Sequence, residues 1–242
     1  MVRSIIDLGR NLGKQLIAEG IENEEQRLFL SQLGCDYAQG HLFGDAMPVE
    51  RYRDIVEEYV VPYSTAKYAR WGDRNYMVGA LARVNNNFDQ LSPLAREAAK
   101  DLGLTVPCFN PFMNTVAQVV ECAHCLEESI GFIDTLLERG IKAGEEQTAV
   151  TAKAGGAVAA VEAPRGLLFH EYEYDSDGIC LAANHVIPTA QNLANLEADM
   201  HEFVPRIMDG DEQSVTHQLE MLVRAYDPCI SCSTHLMKID FT

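Results

Sequence analysis

The sequence predicts a mainly α fold with a small antiparallel β-hairpin, preceded by a short α/β fragment. Three observations carry this. Helix and strand patterns alternate through residues 1–48, helical periodicity dominates over residues 49–242, and Asp175-Ser176-Asp177-Gly178 is a strong hairpin turn between two β-prone runs. Residues 1–48 and 49–242 are therefore read as separate domains, the boundary falling where the pattern changes near residues 46–50.

In the first domain, residues 2–13 set Ile5, Leu8 and Leu12 on one helical face, and residues 15–18 form a short apolar run closing on Glu19-Gly20. Asn23 with Gln26 three residues on is a capping-box start. Leu30 and Leu33 continue that helix, Gly34 ends it, and residues 35–42 form the next strand. Such alternation belongs to a parallel α/β sheet.

Beyond Pro48 no further strand-helix alternation appears. Ser92-Pro93 is a cap-then-proline start for a helix over residues 94–102. Over residues 114–137, Val116, Val119, Val120, Ala123, Leu126, Ile130, Ile133 and Leu137 keep helical spacing, which predicts a long, largely buried helix that is the main packing element. Residues 151–161, rich in Ala and Gly, read either as a flexible connection or as a closely packed strand, and the β-prone runs that follow favour the strand. Those runs are residues 167–174 and 179–187, with Pro188 ending the second. Helices return over residues 191–204 and 212–226. The last, with Val215, Leu219, Leu222, Val223 and Tyr226 on one face, delivers its end into Asp227-Pro228-Cys229.

Charge narrows the function. Asp and Glu number 36 against 19 Lys and Arg, a formal charge of -17 that disfavours phosphate backbones and anionic lipid surfaces. Neither a nucleic-acid partner nor a membrane span is expected, and Arg3, Asp7 and Arg10 interrupt what a signal peptide would keep apolar, so a cytoplasmic protein is expected. The seven cysteines are odd in number and scattered, a poor disulfide framework; reduced thiols and metal ligation fit better.

Two Cys-x-x-Cys pairs stand out, Cys122/Cys125 and Cys229/Cys232. In the string Asp227-Pro228-Cys229-Ile230-Ser231-Cys232-Ser233-Thr234-His235, two soft thiolates three residues apart can hold one metal or bridge two, and Pro228 sets them on a defined turn. Zinc sites and redox dithiols use the bare spacing as well. Cys122 and Cys125, like Cys35, Cys108 and Cys180, read more simply as small apolar thiols on packed faces. His170, His185, His201 and His217 read as core or surface histidines.

The longer string resembles the C-terminal signature of nickel-iron hydrogenase large subunits. Residues 61–67 (Val-Pro-Tyr-Ser-Thr-Ala-Lys), 78–85 (Val-Gly-Ala-Leu-Ala-Arg-Val-Asn), 162–170 (Glu-Ala-Pro-Arg-Gly-Leu-Leu-Phe-His) and 187–192 (Ile-Pro-Thr-Ala-Gln-Asn) are similar to that family in its order, in the style of cytoplasmic multi-subunit members. The resemblance implies reversible heterolytic splitting of H2 at a nickel-iron centre whose iron carries diatomic ligands. It makes Cys229 a terminal nickel ligand and first proton acceptor, and Cys232 a bridging ligand. Arg165 becomes the guanidinium over the open position, shaped by Pro164, with Asp227 as its charge partner. His235 matches a ligand for magnesium or iron and the residue after which a maturation endopeptidase cuts. A small subunit with iron-sulfur clusters is the implied electron partner. The family's other two thiolates, in an Arg-x-Cys-Gly-x-Cys motif, and its relay glutamate have no counterpart in this sequence.

Residues 1–48 instead resemble the closing part of an EAL-type cyclic di-GMP phosphodiesterase, through Ala18-Glu19-Gly20-Ile21-Glu22 and residues 34–42. That family folds as a β/α barrel. Glu19 and Glu22 would be remnants of a carboxylate metal site and Gln39 of its support; the paired aspartates and earlier strands have no counterpart, so an inactive remnant is expected. The whole reads as a fusion of two incomplete pieces. Two other readings fit the same residues: a catalytically incompetent scaffold or subunit-interaction protein, and a structural zinc protein using Cys122, Cys125, Cys229 and Cys232.

Overall fold

We describe the chain from a computed structural model, for residues 2–14, 16–18, 21, 23–35, 37–38, 48–140 and 151–233. The chain divides into two compact units, Met1–Pro48 and Val49–Thr242.

In the first unit, α1 (Val2–Asn11) buries Ile6 and Gly9, because the missing side chain of Gly9 admits Leu16. The predicted face of Ile5, Leu8 and Leu12 lies in solvent instead. Nothing among the described residues of this unit covers it. After β1 (Ile17–Ala18), Asn23 caps α2 (Glu24–Gln32), its Oδ1 accepting the Gln26 N–H at 2.9 Å. Gly34, at φ 78°, closes that helix, and the Cys35 N–H reaches back to the Leu30 carbonyl. β2 (Tyr37–Ala38) pairs parallel with β1, as the alternation predicts. The rest of the expected strand over residues 35–42 lies outside the described residues.

The second unit opens with α3 (Val49–Ile55), which runs into β3 (Val56–Tyr59); β3 pairs antiparallel with β4 (Tyr68–Trp71). This hairpin departs from the expected all-helical start. Its strands are short and charged, and the eight residues between them turn early, at Val61-Pro62-Tyr63-Ser64, where the Ser64 N–H donates to the Val61 carbonyl at 3.0 Å, so they read as a loop rather than a two-residue hairpin. Tertiary burial makes it, since Val56 and Ala69 pack with Phe169 and Val186, and Tyr52 stacks on Phe169 with ring centroids 5.2 Å apart.

A helical layer follows: α4 (Ala80–Asn87), α5 (Pro93–Asp101) and α6 (Asn114–Arg139). Leu81, Val84, Leu91, Ala95, Ala99, Ala117 and Val120 form its core, the alanines letting the helix backbones approach. Ser92-Pro93 does start α5, but the Ser92 hydroxyl makes no cap bond. Side chains of α6 do the capping: His124 Nδ1 accepts the Ser92 N–H at 3.2 Å and Glu127 Oε2 the Leu94 N–H at 3.0 Å.

α6 itself corrects an expectation. Only Asn114, Ala117 and Val120 are buried, while Leu126, Ile130, Ile133 and Leu137 are exposed, as are Cys122 and Cys125. The apolar periodicity is real; the described residues offer nothing to cover its C-terminal half. The two thiols accordingly do not sit in a packed face.

The Ala/Gly-rich stretch is a strand, β5 (Gly155–Ala163). With β6 (Gly166–Tyr174) and β7 (Cys180–Val186) it makes a three-stranded antiparallel sheet where a two-stranded hairpin was expected. The predicted turn between β6 and β7 is organised by Asp175, whose Oδ1 accepts the N–H groups of Asp177 and Ile179, each at 2.9 Å. On the sheet, the Tyr172 hydroxyl lies 3.3 Å from His170 Nδ1 and 2.8 Å from His185 Nε2, placing those histidines in a surface cluster. α7 (Pro188–Ile207) and α8 (Glu212–Ala225) then pack through Leu196, Leu222 and Tyr226, and the chain passes to α9 (Ile230–Ser233). No helix among the described residues is long and apolar enough to cross a membrane.

Candidate metal centre

Four blocks distant in sequence meet at one place through buried amides. Asn192, 5% exposed on α7, accepts the Val78 N–H at 2.8 Å through Oδ1 and donates to the Val78 carbonyl at 3.1 Å through Nδ2. Asn114, at the start of α6, accepts the Leu81 N–H at 3.1 Å and donates to the Ala225 carbonyl at 2.9 Å, so it joins the entry of α4 to the end of α8. Gln191 Nε2 donates to the Leu167 and Val186 carbonyls, and its Oε1 accepts the Tyr76 hydroxyl. Buried peptide groups left unpaired are costly, and these amides satisfy them where no ladder can.

The loop between β5 and β6 is pressed onto the entry of α4. A Cβ on Gly166 would lie 2.4 Å from Val78 Cγ2, and one on Gly79 would lie 3.0 Å from the Arg165 carbonyl oxygen. Both glycines have positive φ, 132° and 119°. Only glycine allows this approach, and it presents Arg165 to the segment after α8.

There Asp227 adopts φ 48°, the left-handed region that a non-glycine residue seldom occupies. Arg165 Nε donates to the Asp227 carbonyl at 2.9 Å and lies 3.3 Å from its Oδ2, which also accepts from Gln118 Nε2 at 3.0 Å. Two residues on, the Cys229 N–H donates to Thr189 Oγ1 at 3.1 Å, and Cys232 N–H returns to the Cys229 carbonyl at 3.1 Å. The turn is thus tied to the sheet loop by Arg165, to α6 by Gln118 and to α7 by Thr189.

Cys229 and Cys232 converge, with Cα atoms 5.3 Å apart and their sulfurs in disulfide contact. An i, i+3 turn puts the pair within bridging range of each other. Reduced, they offer two soft donors at one point. Among the described residues no group of three or more His, Cys, Asp and Glu side chains is arranged to hold a metal, so the four-cysteine zinc site does not form; Cys122 and Cys125 stay on exposed α6.

Of the expected site residues, the structure brings together Arg165, Asp227, Cys229 and Cys232, with Pro164 preceding Arg165 in the loop. His235, Glu19, Glu22 and Gln39 lie outside the described residues. Sequence reasoning missed Arg83, Asn114, Gln118, Thr189, Gln191 and Asn192. Four of these stand inside the blocks 78–85 and 187–192, where polar residues in apolar runs were the available signal; nothing local marks Gln118.

Residues 39–235 match the model for nickel-dependent hydrogenases, and residues 1–46 match the EAL domain. The alpha subunit of sulfhydrogenase 1 from Pyrococcus furiosus is 38% identical over 200 residues, covering 81% of this chain and 45% of that protein. The corresponding subunit of the F420-non-reducing hydrogenase from Methanothermobacter marburgensis is 29% identical over 212 residues, covering 81% of this chain and 43% of that protein. This chain thus spans less than half the length of these relatives. Among solved structures, an NAD+-reducing [NiFe]-hydrogenase in the H2-reduced state aligns with a TM-score of 0.62 at 28% identity, over 76% of this chain and 42% of that one. A [NiFeSe] hydrogenase variant from Desulfovibrio vulgaris Hildenborough shares the fold at a TM-score of 0.50 and 22% identity, over 79% of this chain and 47% of that one. With a family match over most of its length and its motif blocks folded against one another, this chain belongs to the nickel-dependent hydrogenase family.

Proposed function

We propose that residues 49–242 supply the C-terminal thiolate half of a nickel-iron centre that splits H2 reversibly and heterolytically. The observation that carries this is the convergence of Cys229 and Cys232 on a turn that Arg165 grips through Asp227. Two thiolates fit half of the soft donor set that nickel takes in this family; the other half must come from outside these residues. When bound, the group supplies the redox-active centre for cleavage of hydrogen.

The chain's own residues then have distinct tasks. The thiolates of Cys229 and Cys232 would hold the group, and Cys229 Sγ would be the base that takes up the proton released from H2. Arg165, held on Asp227, would set its guanidinium beside the thiolate pair, where it could polarise hydrogen or relay the proton. Asp227 and Gln118 fix its direction, and Pro164 stiffens the approach. His235 is proposed as a ligand for magnesium or iron and as the residue after which a maturation endopeptidase cuts. Electrons leave through a small subunit with iron-sulfur clusters, in the cytoplasm. Residues 1–48 are an inactive EAL-like fragment.

The exposed apolar flank of α6 favours one second reading, in which the chain is a scaffold that docks another subunit without catalysis. Metal content separates the two. The chain co-expressed with a hydrogenase maturation system and a small subunit should carry nickel with iron, and intact mass should show cleavage after His235. Purified protein free of metal and still bearing residues 236–242 supports the scaffold; zinc alone rules out both.

A further inference from the structure

We infer that Arg83 is the positioning residue for Arg165, an assignment that rests on the proposed role of Arg165 at the nickel-iron centre. Arg83 stands one turn into α4, and its planar fork has five N–H donors, all of which are committed. Nε and Nη2 clamp Glu121 of α6 in bidentate fashion at 2.7 and 2.8 Å. Nη1 donates to Glu162 Oε2 at 2.8 Å and to the Ala163 carbonyl at 3.0 Å, and Nη2 donates to the Pro164 carbonyl at 2.9 Å.

The last two bonds are the informative ones. Ala163 and Pro164 immediately precede Arg165, so fixing both carbonyls fixes the plane of the peptide that launches the Arg165 side chain. A surface ion pair for stability alone would need only the carboxylates. The Arg83 charge is also cancelled locally: it lies between Glu121 and Glu162 and does not repel the Arg165 guanidinium. Hydrogen bonding to Glu121 further favours its charged form. From the other side, the contact of Gly79 with the Arg165 carbonyl sets how deep the loop sits. Arg83 touches neither the thiols nor Asp227 in these bonds; it acts through the loop. A lysine can keep the Glu121 pair, but a single ammonium cannot also hold two carbonyls and Glu162 in one plane.

The test reads Arg165 directly and needs no metal. In the full chain labelled with 15N-arginine, the Arg165 Nε–H resonance, identified by its loss in Arg165→Lys, should exchange slowly with solvent because it donates to Asp227. Arg83→Gln should accelerate that exchange by about tenfold, the scale of one lost hydrogen bond. Arg83→Lys, which keeps the Glu121 pair and hence the packing of α4 on α6, should give a smaller change of the same sign. An Arg165 signal unmoved in whichever of these variants remains folded overturns the assignment. Metal content of the same variants co-expressed with the maturation system and small subunit reports separately on the proposed centre: faster exchange at Arg165 in a chain that carries no nickel under those conditions leaves the role of Arg83 in the loop intact while removing the nickel-iron reading.

Discussion

Asn192 pairs with both polar groups of the Val78 peptide and has 5% of its surface exposed, so truncating it leaves a buried donor and acceptor without partners. Asn192→Ala should therefore lower unfolding stability by about 2–4 kcal/mol in a denaturant titration, while substitution of exposed Asn87 should move it by less than about 0.5 kcal/mol. Gly166 offers a second probe of the same junction. Its φ of 132° and the 2.4 Å approach of its would-be Cβ to Val78 make Gly166→Ala costly, by about 2 kcal/mol or more, because branched Val78 has little freedom to withdraw. Gly103→Ala, with open space around it but φ 72°, should cost only about 1 kcal/mol. At this scale the sequence showed the chemistry and hid the carpentry. Cys229, Cys232, Asp227 and Arg165 announce themselves by type and spacing. Asn114 and Gln118 do not, because a buried amide acquires meaning only from the backbone groups that tertiary structure leaves unpaired.

Among the elements, α6 shows most clearly what periodicity can and cannot say. Its spacing identified the helix but not its burial, because a repeat of apolar side chains describes a face and not what covers it. Leu126, Ile130 and Leu137 are 64, 59 and 75% exposed, whereas Val120 is fully buried. Replacing Ile130 and Leu137 together by Gln should thus leave thermal stability of this chain within about 0.5 kcal/mol, while Val120→Ala should cost about 1–3 kcal/mol. Equal losses at both places would show the α6 flank to be packed in solution. The β3–β4 hairpin escaped notice for the opposite reason, since its strands form on a core assembled from Phe169 and Val186, distant in sequence. The β6–β7 turn was legible because Asp175 and Gly178 organise it locally.

For the whole molecule, buried phenols set the alkaline limit. Burial pushes Tyr68 up to about 12, with Glu197 adding to the rise, and Tyr52 likewise to about 12. Tyr226 rises as well, through burial and its hydrogen bond to Asp199. Between pH 10 and 12 the unfolded chain releases these protons while the folded chain keeps them, so the unfolded state binds fewer protons and stability falls with rising pH. The slope is about 1.4 kcal/mol per pH unit for each such tyrosine, and Tyr68→Phe should flatten it by one tyrosine's share in denaturation curves taken across that window. Below pH 10 these groups contribute no dependence.

The same molecule places the paired Cys229 and Cys232 thiols at one point, with Cα atoms 5.3 Å apart, where reduced they offer two soft donors to a metal. Anaerobic titration of the reduced chain with Ni(II), followed by thiolate-to-nickel charge-transfer absorption, tests that most directly. One nickel per chain should bind weakly, with the signal abolished by Cys229→Ser, by Cys232→Ser, and in unreduced protein. Nickel uptake that persists unchanged in Cys229→Ser would contradict the account.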